Sequence, residues 1–168
     1  MRAQFQAAAD PYHPCSDLSI ILTGQWQSGG VMEILVGGAP VAAIDFSAAL
    51  WSTVALLMLA AIRAQATHWP NAFITSGDLA KALEAKNHLV DATPSDVHRL
   101  INKIRDAIAR SVPSELAGKS MVDRRKWASI LLASKRSIGY RFAVPSKNLT
   151  VYIGPSMFRT DPPSAGGD

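Results

Sequence analysis

Apolar positions first follow short runs suited to strands and then the wider spacing of helices. Leu18 to Leu22, Val31 to Val36 and Ala39 to Ile44 are β-rich runs, with Gly29-Gly30 before the second and Gly37-Gly38 between the second and third. A Gly-Gly pair between two such runs predicts a hairpin, because the favoured two-residue turn needs positive φ at both central positions. Phe46 to Ile62 is the most apolar stretch in the chain. It is shorter than the roughly 20 residues of a membrane span and is interrupted by Ser47, Ser52 and Thr53, so it predicts a buried first helix capped by Ser47. Its nearly all-round apolarity implies cover on more than one side. Its outer apolar side, Trp51 included, is a candidate contact surface for a partner.

Two further helices carry their own start signals. Thr75 to Asp78 has capping-box spacing, and the helix it opens runs through Leu79, Ala82 and Leu83 to about Asn87. Thr93 followed by Pro94 opens the next, with proline at the first helical position, where a missing N–H costs nothing. Val97, Ile101, Ile104 and Ile108 then recur at spacings of four, three and four, which predicts a helix to about Arg110 with one apolar stripe. Trp69-Pro70 breaks the chain before the second helix, so His68 to Asn71 reads as a loop. Ser111 to Ala128 reads as an insert, a long loop or a short helix near Val122 to Trp127. Ser129 to Ala133 and Ile138 to Val144 predict a closing hairpin, and Leu149 to Ile153 a last strand. Residues 1–17 read as an arm, 18–153 as one domain, and the Pro/Gly/Ser-rich 154–168 as a mobile tail.

Composition narrows the function classes. Charged residues make up 18% and apolar ones 48%, enough to bury a core. Cys15 is the one cysteine, which excludes an internal disulfide framework and suits a reducing compartment. Met1 to Asp17 has no basic segment leading into an apolar core, so the expected location is cytoplasmic. The net charge of +4 is unevenly placed. Met1 to Pro94 holds four Lys/Arg against seven Asp/Glu, whereas Ser95 to Lys147 holds twelve against four. That basic block reads either as a footprint for a polyanion or as an ordinary solvated face.

The third helix alone reads equally as an ordinary surface helix; together with the closing hairpin it favours the polyanion. At about 100° per residue, Ser95, Arg99, Asn102, Lys103, Asp106 and Arg110 fall opposite the apolar stripe. Arg and Asn pair bidentately with guanine and adenine edges in the major groove. Lys135 and Arg136 sit at the turn between the last two apolar runs, where long cationic side chains meet a phosphate backbone or minor groove. Arg105, beside the stripe, is expected to fix the helix or meet a phosphate. Tyr140 and Phe142 are expected in the core.

These residues resemble the winged-helix DNA-binding domain of OmpR/PhoB-type transcriptional regulators over about Val31 to Val144. Gly38 to Val41 followed by Ser47 resembles the hairpin before that family's first helix, and Ile74 to Leu83 resembles its second helix. Ile101, Ile104, Arg105 and Ile108 fill the Ile-x-x-Leu-Arg-x-x-Leu pattern of its recognition helix. Arg136, Gly139, Tyr140, Arg141 and Phe142 fill its Arg-Gly-x-Gly-Tyr-Arg-Leu wing, with Ser137 in place of the first glycine.

The resemblance implies an α+β winged helix-turn-helix: an N-terminal β-hairpin or small sheet, a three-helix core and a C-terminal β-hairpin wing. It implies double-stranded DNA as partner, with residues 94–110 in the major groove and 134–137 on the adjacent backbone or minor groove. The implied contacts are Arg99 and Asn102 on base edges and Ser95, His98, Lys103, Asp106 and Arg110 around them. Lys135, Arg136 and Ser137 are the implied wing contacts. A single module buries little surface, so a homodimer or a larger complex is expected, with the first helix (about 47–63) as its contact surface. The segment before the first strand is too short for a receiver module, so phosphorelay control is not carried over.

Catalytic readings are weak. His13, His68, His88 and His98 are scattered and no cysteine cluster accompanies them, so neither a metal nor a cofactor is implied. The glycine pairs lack the Lys-Ser/Thr of a phosphate-binding loop. Two alternatives stay open: a winged-helix interaction subunit of a nucleoprotein or defence-type assembly, and a replication or mobile-element protein.

Overall fold

Three antiparallel strands open the fold: β1 (Leu18–Gln25), β2 (Gly29–Val36) and β3 (Ala39–Phe46). The computed structural model describes residues 17–66, 73–154 and 156–159. Gly37 and Gly38 form the β2–β3 turn with φ of 56° and 84°, the left-handed pair that a primed turn demands. Alternate residues on one sheet face, Leu18, Ile20 and Leu22 with Met32, Ile34, Ile44 and Phe46, are buried.

Helix α1 (Ala48–Ala66) lies across that face. Its other side meets α2 (Ser76–Ala85), α3 (Pro94–Ser111) and the closing hairpin. No residue from Ala48 to Ile62 is exposed. Trp51 is 0% exposed, donates from Nε1 to the Thr23 carbonyl at 3.2 Å and meets the Trp26 ring edge-on at 5.6 Å. Trp51 therefore belongs to the core and not to an outward contact surface, and the other apolar residues of α1 from Ala48 to Ile62 are buried or half-buried. Each fully buried large side chain here stabilises the fold by about 1.5–3 kcal/mol relative to exposure. Buried Ser52 and Thr53 are satisfied, Ser52 by the Trp26 carbonyl at 3.2 Å and His88 Nε2 at 2.9 Å, and Thr53 by the Ala49 carbonyl at 2.8 Å. Among the described residues no helix is long and apolar enough to cross a membrane.

The insert is more ordered than its polarity suggests. It forms α4 (Ser114–Ala117) and α5 (Met121–Leu131), with Ser120 Oγ capping α5 at the Asp123 N–H, 3.1 Å. The helix runs through Ser129 to Leu131, where a strand was expected. Ala128 and Leu131, three apart on one face, are both fully buried, and a short apolar run fits either period. The hairpin is correspondingly short: β4 (Leu132–Lys135) and β5 (Gly139–Phe142).

After a 3₁₀ turn at Ser146–Asn148, β6 (Leu149–Ile153) returns to pair with β1 in parallel, Ile20 opposite Leu149. A seventh strand, β7 (Ser156–Arg159), pairs antiparallel to β6 and lies in what reads as a mobile tail. The sheet order is β3-β2-β1-β6-β7, a five-stranded mixed sheet where a β-hairpin or small sheet was expected. Residues 1–16, the loop His68 to Asn71 and residues 160–168 lie outside the described residues. The fold is α+β, with one hydrophobic core between the sheet and the helical layer.

Candidate nucleic-acid interface

Helix α3 is set by local chemistry at its start. The Thr93 N–H donates to Asp96 Oδ2 at 2.8 Å and the Asp96 N–H to Thr93 Oγ1 at 3.4 Å, a reciprocal capping box with Pro94 in the first turn. The Thr93 backbone N–H, then its hydroxyl, hold the Asp96 carboxyl below the ordinary aspartate range, and the Arg99 charge adds to the effect. Val97, Ile101, Ile104 and Ile108 are each 0% exposed. This stripe anchors α3 to the core and turns the opposite face outward.

On that face Ser95, Arg99, Asn102, Lys103 and Arg110 are exposed, as is His98 at its edge. Arg99 lies 3.8 Å from Asp96 with 77% of its side chain exposed, a pair too solvated to hold it back from a ligand. Asp106 differs from the rest. It is half-buried and its Oδ1 lies 3.3 Å from Arg125 Nε on α5, so a cation of the same chain stands against it. A carboxylate that repels phosphates is thereby masked at the centre of the face.

The hairpin is tied to α3 from both sides. Arg105 donates from Nε and Nη2 to the Leu132 carbonyl at 3.0 and 2.8 Å, fixing the first residue of β4. Desolvation pulls its guanidinium below the ordinary arginine value. Of the two roles expected for Arg105, the structure selects the internal one. His98 Nδ1 lies 3.3 Å from the Tyr140 hydroxyl, joining α3 to β5. Ile74 completes a third strand position: its N–H and carbonyl each pair with Tyr140 at 2.9 Å. Gly139 lies against this bridge, where a Cβ would stand 2.0 Å from the Ile74 carbonyl oxygen, so no other residue fits. An open depression of about 510 Å³ lies between these elements, lined by Ser76, Pro94, Ser95, His98, Arg99 and Tyr140.

Lys135, Arg136 and Ser137 are exposed at the hairpin turn, closed by the Ile138 N–H on the Lys135 carbonyl at 3.0 Å. Ser137 takes φ 64°, the positive value that glycine would adopt with less strain. Tyr140 and Phe142 are buried, as expected, but Arg141 between them is only 4% exposed, so strict alternation fails here. Its guanidinium stands over the Phe73 ring at 5.0 Å.

Sequence reasoning missed the division of labour in Arg124 to Lys126. Arg124 is structural, donating to the Gly118 and Ala109 carbonyls at 3.1 Å each, whereas Arg125 reaches Asp106. The basic run was visible, but its roles separate only once α5 is a helix packed on α3. Among the described residues no group of His, Cys, Asp and Glu side chains could hold a metal ion. No protein-family model, curated protein or solved structure matches this chain.

Proposed function

We propose that this chain binds double-stranded DNA sequence-selectively as a winged-helix transcriptional regulator. In this reading α1, α2 and α3 form the three-helix core, α3 enters the major groove, and the β4–β5 turn lies on the adjacent backbone or minor groove. The observation that carries it is the exposed row Ser95, Arg99, Asn102, Lys103 and Arg110 on a helix whose opposite stripe is fully buried. The rigid ties from Arg105 and His98 to the hairpin support a fixed spacing between helix and turn.

Arg99 and Asn102 read base edges, and the cations around them hold the phosphates. One such module buries little DNA surface, so two copies or a larger complex act at a site. Trp51 and the other fully buried residues of α1 are unavailable to a second copy. Exposed Val122 and Ile130 on α5 favour a second reading, an interaction subunit of a larger assembly.

Selection of bound fragments from random duplex DNA at two salt concentrations tests the proposal. An enriched motif is the expected result. Absence of retention at either salt would transfer the argument to the interaction subunit.

A further inference from the structure

The insert between α3 and the hairpin carries a cationic flank that a helix and a wing do not account for. Lys119, Arg125 and Lys126 are exposed on or just before α5, as many cations as α3 presents with Arg99, Lys103 and Arg110. Packing decides which way this flank faces. Arg124 turns toward α3 and donates to the Ala109 carbonyl, while Ala128 and Leu131 are buried. One residue beyond Arg124, Arg125 reaches around to the solvent side of α3 and meets Asp106 at 3.3 Å.

Asp106 lies opposite the Val97 stripe, near the centre of the outward face of α3, so its partner stands at the front edge of that face. Side-chain exposures of 62% for Arg125 and 43% for Asp106 leave the pair in solvent. A pair so exposed adds little to stability, and an arginine fork has five N–H donors with which to meet a second anion.

We propose that α5 is a third DNA-contacting element, lying along the backbone beside the groove that α3 occupies. Arg125 masks the Asp106 carboxylate and, with Lys126 and Lys119, contacts phosphates outside the reach of α3. Val122 and Ile130, four residues either side of Lys126, are 64% and 51% exposed, a surface that a protein would cover. The flank's defined contact, Arg125 to Asp106, runs toward α3, and this favours duplex DNA as the occupant. The inference rests on the DNA-binding reading above.

The test compares wild-type protein with the double variant Lys119→Gln, Lys126→Gln, which leaves the Arg125–Asp106 pair in place, on the duplex recovered by selection, over a series of salt concentrations. Each lost phosphate contact flattens the plot of log affinity against log salt by about 0.9, so the double variant should be shallower by about 1.8. A backbone footprint should shorten at one flank while the base preference stays unchanged. Both substitutions fall on exposed side chains, and an unchanged unfolding midpoint confirms the fold. A wild type that binds, with Arg99→Ala relaxing its preference, and a double variant with wild-type slope and footprint would overturn the α5 inference alone. A wild type with no salt-dependent binding would overturn both readings.

Discussion

Arg105 on α3 holds the Leu132 carbonyl oxygen, the first of β4, with two hydrogen bonds of 3.0 and 2.8 Å. The bonds join the outward-facing helix to the start of the hairpin across 27 residues of chain that include two further helices. Without that tie, the position of β4 against α3 would depend on the insert and on the His98–Tyr140 contact at β5. Arg105→Met should leave a carbonyl without its charged donor and cost about 1–3 kcal/mol in urea unfolding. Arg105→Lys, with a point donor in place of a fork, should recover part of it. Wild-type stability in the Met variant would mean that the Arg105 bonds do not hold the hairpin in place.

Trp51 tests whether α1 is core or contact surface. It is fully buried and hydrogen-bonded through its indole, so Trp51→Ala should cost about 3–5 kcal/mol. A residue on a partner-facing surface would lose well under 1 kcal/mol in the monomer. Equilibrium denaturation at dilute concentration separates the two.

Asp96 gives the capping box a pH signature. Its folded pKa is depressed, so its contribution is fully present above the ordinary aspartate value of 3.8 and fades as pH falls through the lower folded value. Asp96→Asn should therefore be less stable than wild type at neutral pH, with the gap closing in acid. A gap that is constant from neutral pH into the acid range would assign the loss to something other than the carboxylate.

At the hairpin turn, Lys135→Ala with Arg136→Ala should weaken DNA binding on all sequences alike and flatten the salt dependence by about 0.9 per phosphate contact. Loss confined to one sequence would make the turn a base reader instead.

Local chemistry was the most legible part of the chain. Thr93, Pro94 and the Val97 to Ile108 stripe determine α3 within a few neighbouring residues, and the observed caps and burial follow them. The angle of Arg105 beside that stripe placed it near the core, although Leu132 as its partner depends on tertiary packing. Long-range pairing was not legible. Nothing near Leu149 indicates a parallel partner at Ile20, and Ser156 to Arg159 has a composition that suits a tail as readily as a strand. Ser129 to Leu131 is apolar enough for either period, and burial of Ala128 with Leu131 decided for helix. Trp51 was misplaced because an all-apolar helix gives no indication of which side is covered, and here both are. At the candidate interface, Asp106 was grouped with the outward polar row because its masking cation lies 19 residues further along the chain.

The most direct test of the central claim is the ratio of affinities for the selected duplex and a scrambled one, measured for wild type and Arg99→Ala at one salt concentration. Direct reading by α3 predicts that the variant loses about 1–3 kcal/mol on the selected duplex and little on the scrambled one, so the ratio collapses. An equal loss on both duplexes would contradict it, reducing Arg99 to a phosphate contact and α3 to a surface that does not read sequence.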